Sequence, residues 1–78
     1  MKYKEFREYL EFNEISLRED EERLIISYNY IEISKVNEHS ITLSLVSIDD
    51  PAELELIKKA IDLAETPLDE RVRVLKNS

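Results

Sequence analysis

Ile31-Glu32-Ile33-Ser34 and, six residues further on, Ile41-Thr42-Leu43-Ser44-Leu45 are the two stretches that decide the fold. In both, apolar side chains alternate with polar ones. Successive side chains of a strand point to opposite faces, so a period of two marks a strand with one buried face. Isoleucine at most of the apolar positions suits a pleated surface. Working outward, Ile15-Ser16-Leu17-Arg18 alternates in the same way. Leu24 to Tyr30 carries apolar residues on both parities. It reads as a central strand, or as the start of a longer one that bends near Asn29. Turns are expected at Glu19-Asp20-Glu21-Glu22 and Val36-Asn37-Glu38-His39, with Asn29 and Asn37 as candidate left-handed residues. Residues 14–48 therefore read as three or four antiparallel strands.

Helical signals flank this region. From Lys2 to Phe12, the residues Tyr3, Phe6, Tyr9 and Leu10 fall within about 120° of a helical wheel, with charges opposite. Asn13 follows as a residue that tolerates the left-handed conformation at a helix end. Asp50-Pro51-Ala52-Glu53 supplies an N-cap, proline at the first helical position and Glu at the capping-box position. Leu54, Ile57, Ile61 and Ala64 then occupy about 80° of the wheel, and Ala52, Leu56, Ala60 and Leu63 widen the apolar side to about 200°. The first set is expected to face the sheet beside Phe6 and Leu10. The rest are covered inside the fold, or face a partner or a second copy. Thr66-Pro67 ends the helix, and Thr66-Pro67-Leu68-Asp69 can cap a further single turn. Val72 and Val74 alternate with Arg71 and Arg73, as a short edge strand or a tail.

The expectation is a two-layer α+β domain spanning residues 1–78: N-terminal helix, antiparallel sheet, C-terminal helix and an optional last strand, with the helices on one sheet face. Seventy-eight residues leave no room for two domains of about 100–200 residues each.

Composition narrows the chemistry. The chain has no Gly, no Cys and no Trp. Without glycine there is no P-loop and no dinucleotide fingerprint. Without cysteine there are no disulfides, cysteine zinc sites or thiol nucleophiles. His39, the single histidine, reads as a solvated turn residue. It lacks the convergent partners that a catalytic triad or a zinc site requires. No catalytic residue, metal or cofactor is expected. The four acids from Glu19 to Glu22 lack the ligand spacing and the glycine of a calcium loop. No targeting segment is visible, and no apolar stretch approaches the ~20 residues that span a membrane. A cytoplasmic setting is the default.

The net charge is −7, from 18 acids and 11 bases. Phosphate binding depends on Lys and Arg, so nucleic acid is not an expected ligand. Arg71, Arg73 and Lys76 form the only local basic cluster. The double-stranded RNA-binding domain shares a similar element order, but the acids Asp49, Asp50, Glu53 and Glu55 stand at the start of the last helix here. Acid is concentrated in residues 1–22 and 48–70, with eight acids in each stretch. Such a body is steered toward a cationic groove, or the charge simply keeps it soluble.

The run Ala64-Glu65-Thr66-Pro67-Leu68-Asp69-Glu70-Arg71, with Leu54 to Leu63 before it, resembles a segment of small uncharacterised phage and prophage accessory proteins of Gram-positive bacteria. The likeness covers about the last 55 residues. Size, charge and element order also resemble small acidic anti-CRISPR proteins. The resemblance implies a viral or mobile-element setting and small accessory proteins that act by binding. Taken with the acidic surface, the leading expectation is a non-enzymatic protein that binds and inhibits a host protein with a basic, nucleic-acid-binding groove. Its contact candidates are Glu19, Asp20, Glu21, Glu22, Asp49 and Asp50, with Tyr28 and Tyr30 as aromatic anchors. The alternative is a phage structural or assembly module that homodimerises through Leu56, Leu63 and the last strand. The first reading suits a monomer, the second a homo-oligomer.

Overall fold

The computed structural model describes residues 1–44 and 47–71. Helix α1 (Tyr3–Phe12) is followed by strands β1 (Leu17–Glu19), β2 (Arg23–Ile26), β3 (Ile31–Ser34) and β4 (Ile41–Leu43). Helix α2 (Pro51–Glu65) and the single turn α3 (Leu68–Arg71) complete the described chain. The strands form an antiparallel meander in sequence order. The α+β fold is thus the one expected. The apolar run at Leu45 and the final strand at Val72 and Val74 lie outside the described residues.

Register explains the core. Ile26 and Ile31 are cross-strand partners, Ile31 also pairs with Leu43, and Leu24 and Ile33 pair in the next row. These rows share one face. They meet Tyr3, Phe6 and Leu10 of α1 and Leu56, Ile57, Ala60, Leu63 and Ala64 of α2. The opposite face carries the row Arg18, Ile25, Glu32 and Thr42. Ile25 is buried on that second face, which is why β2 shows apolar residues on both parities.

Helix α2 is rotated from the expected orientation. Ile57 and Ala64 face the sheet as expected, but Leu54 and Ile61 are 46% and 39% exposed. Leu56 and Leu63 are buried in the core instead, so they do not form a dimerisation face. The reason is geometric. An apolar arc of about 200° is wider than the ~120° stripe that one packed face covers. Centring that stripe on the small Ala60 places a larger side chain on either side, and Leu54 and Ile61 fall at its edge.

Left-handed residues close the turns without glycine. Helix α1 ends with Asn13 at φ −94°, and Glu14, not Asn13, takes the left-handed position at φ 57°. The Glu14 N–H donates to the Glu11 carbonyl and the Ile15 N–H to the Leu10 carbonyl, the bond pair of a Schellman motif. Asn29 is left-handed as expected, together with Ser27 and Tyr28. His39, not Asn37, takes the left-handed position between β3 and β4. A left-handed non-glycine residue costs roughly 1–2 kcal/mol, so three in succession at residues 27–29 form the most strained segment of the described backbone.

The end of α2 is tied to the β3–β4 connection by a buried cation. Arg71 is fully buried, and its guanidinium donates to the carbonyls of Thr66 (2.7 Å), Ser34 (3.0 Å) and Ala64 (3.0 Å). His39 Nδ1–H also donates to the Ala64 carbonyl at 2.7 Å, and the Leu68 N–H donates to the Glu38 carboxylate at 2.6 Å. Carbonyls at a helix C-terminus carry partial negative charge, which suits a cation there. Arg71 is therefore not part of a basic surface, while Arg73 and Lys76 lie outside the described residues.

Candidate functional site

The acidic hairpin tip between β1 and β2 is well organised. The Asp20 Oδ1 accepts from the N–H groups of Glu22 (2.8 Å) and Arg23 (2.7 Å), and its Oδ2 pairs with the Arg23 guanidinium at 2.9 Å. Those backbone donors, then the Arg23 side chain, hold the Asp20 carboxyl below the ordinary carboxylate range. Arg23 also reaches Glu32 at 3.0 Å on the adjacent strand. Glu19 pairs with Lys35, whose ammonium also donates to the Asp20 carbonyl at 2.7 Å. Of the four acids at this tip, Glu19 and Asp20 hold the turn together. Glu21 and Glu22 are exposed, and among the described residues their side chains form no ion pair.

Asp49, Asp50, Tyr28 and Tyr30 stand at the other end of the sheet. Strand β2 leads from the acidic tip to the 27–30 turn. Its four residues separate the two ends by about 13 Å at ~3.3 Å per residue. Asp50 caps α2 by accepting from the Ala52 N–H at 2.9 Å. Asp49 is exposed beside it. Tyr28 is 83% exposed on the strained turn. Tyr30 is half-buried, and its hydroxyl donates to the Glu53 carboxylate at 2.9 Å. Burial, then that carboxylate, raises the Tyr30 phenol above the usual tyrosine range. Glu53, expected to close a capping box, thus binds α2 to the 27–30 turn. The contact candidates form two patches, not one.

At that second end lies a cleft of about 250 Å³ that sequence reasoning missed. Tyr9, Asn13 and Ile15 form one wall, Ser27 another, and Ala52, Glu53, Glu55 and Leu56 the third. The Lys59 ammonium sits 5.6 Å from the centre of the Tyr9 ring. Burial, then the nearby Glu55 charge, raises the Tyr9 phenol. Phe12, which precedes the lining residue Asn13 in the chain, is 87% exposed. One signal was available: on the α1 wheel Phe12 falls about 60° outside the apolar arc, an unusual place for phenylalanine.

Among the described residues, no three His, Asp or Glu side chains converge to hold a metal ion, and no helix is long and apolar enough to cross a membrane. The chain matches no known protein-family model, no curated protein and no solved structure.

Proposed function

We propose that this chain is a non-enzymatic accessory protein of a phage or mobile element. It acts in the host cytoplasm by covering the basic groove of a nucleic-acid-binding host protein. One observation carries the reading: most described cations are engaged within the fold, while many carboxylates are not. Arg23 and Lys35 bind the acidic tip, Arg7 pairs with Glu11, and Arg18 donates to Asn29. Lys59 lies over Tyr9, and Arg71 is buried. Glu8, Glu14, Glu21, Glu22, Asp49, Glu55 and Glu65 face solvent without a basic partner among the described residues. Such a surface presents carboxylates where a nucleic acid presents phosphates.

Capture from a bacterial lysate on the tagged chain, followed by elution with duplex DNA, tests the reading. The expected result is a nucleic-acid-binding protein that DNA displaces, through a complex whose association slows as salt rises. A captured partner indifferent to both DNA and salt would refute a phosphate-mimicking role.

A further inference from the structure

The two most exposed large apolar side chains among the described residues, Phe12 and Tyr28, belong to segments that wall one cleft. Phe12 ends α1 next to the lining residue Asn13, and Tyr28 follows the lining residue Ser27 on the left-handed turn. Nothing in the core requires either ring. The cleft itself is lined by the apolar Ile15 and Leu56 and by the carboxylates Glu53 and Glu55, and Glu14 and Asp49 are exposed in adjoining segments. The acidic tip differs: Glu21 and Glu22 have no exposed aromatic residue beside them.

We infer that this cleft seats an arginine-bearing, partly apolar segment of a partner protein, with Phe12 and Tyr28 as anchors and Glu53 and Glu55 as the carboxylates that receive the guanidinium. The inference rests on the reading that the chain binds a basic partner, and names where it does so. Three features select this occupant. Arginine combines charge with a planar, weakly hydrated face that stacks on aromatic rings, as a lysine ammonium does not. Glu53 accepts a single hydrogen bond from Tyr30, and a carboxylate has further acceptor sites for a guanidinium. The apolar Ile15 and Leu56 that line the cleft with Glu53 and Glu55 suit the aliphatic stem of an arginine and an apolar neighbour. A nucleic acid would meet carboxylates in the cleft, and a purely apolar occupant would bury them unpaired.

The test is an amide-shift titration of the isotopically labelled full chain with a short peptide alternating arginine and leucine. An oligo-arginine peptide of equal length serves as comparison. The expected shifts concentrate in residues 9–15, 27–30 and 52–56, with tighter binding of the arginine–leucine peptide. The paired variant Phe12→Ser, Tyr28→Asn should weaken that binding by about tenfold, as loss of interface aromatics does. Asparagine is chosen because it tolerates the left-handed turn. Glu53→Gln with Glu55→Gln should weaken it similarly, whereas Glu21→Gln with Glu22→Gln should leave it within about twofold. Shifts confined to the 20–23 tip would overturn the cleft and leave the basic-partner reading standing. No shifts with either peptide would remove both. Concentration-dependent shifts at the cleft without peptide would make a second copy the occupant and overturn the inference.

Discussion

Arg71 shows how one side chain can carry a tertiary contact that no sequence pattern announces. Its charge belongs, by sequence, to a short basic stretch at the end of the chain. In the fold it ends α3, is fully buried, and donates to three carbonyls, those of Ala64 and Thr66 at the end of α2 and of Ser34 at the end of β3. Replacing it with Met keeps much of the volume but leaves the Thr66 and Ser34 carbonyls without that donor. Arg71→Met should therefore destabilise the fold by about 2–4 kcal/mol, measured as a shift in the urea midpoint at constant slope. Arg71→Lys should recover only part of this, because one ammonium does not reproduce the fork of the guanidinium. Asp20 is the second single residue with a measurable signature. Backbone donors and Arg23 hold its carboxyl below the ordinary aspartate range in the folded state, so the stability it contributes is fully present above that ordinary range. The contribution is lost as pH falls through the folded pKa. A carboxyl titration followed by NMR should place Asp20 below the ordinary aspartate range. Asp20→Asn should flatten the loss of stability below about pH 4. Both features escape a sequence reading for the same reason. The run Glu19 to Glu22 announces a turn, but Lys35 and Arg23 reach it only once the strands are in register.

At the scale of elements the sequence was largely legible. Alternation located the strands, the Asp50-Pro51 signal located the start of α2, and Thr66-Pro67 located its end and the turn beyond. These signals act through neighbouring residues, so they survive without knowledge of the tertiary fold. Rotation about a helix axis does not. The apolar arc of α2 is wide enough to accept several orientations, and only packing against β3 and α1 selects one. The selection has a clear consequence. Leu63→Ala should cost about 2–5 kcal/mol, as truncation of a fully buried leucine does. Ile61→Ala, at the edge of the stripe, should cost about 1 kcal/mol or less. Parallel denaturant titrations of the two variants decide between the orientations, since the opposite ranking would place Ile61 in the core. The candidate site was less legible than the elements. Tyr28 and Tyr30 were both named as aromatic anchors, but the cleft beside the 27–30 turn draws residues from α1, that turn and α2. Only the closed fold brings those three segments together.

The whole molecule is governed by its charge. A net charge of −7 on 78 residues surrounds the chain with a negative potential at neutral pH. Local cationic surface could still bind phosphates if enough bases were grouped and free. The fold works against that among the described residues: Arg23, Lys35 and Arg7 face carboxylates, and Arg71 is inside the protein. Lys2 and Lys4 share the first turns of the chain with Glu5 and Glu8, and Lys58 shares α2 with Glu55 and Asp62. Duplex DNA and single-stranded RNA should therefore not be retarded by this protein in a gel at low salt, where phosphate contacts are strongest. Reversing the sign of the exposed acids is the informative control. Glu21→Lys and Glu22→Lys create a basic tip beside Arg23 without disturbing the Asp20 bonds that shape the turn, so weak, salt-sensitive retardation should emerge. Micromolar retardation by the unmodified chain would mean that cations outside the described residues dominate the field. The chain would then act on nucleic acid directly, not on a protein that binds it.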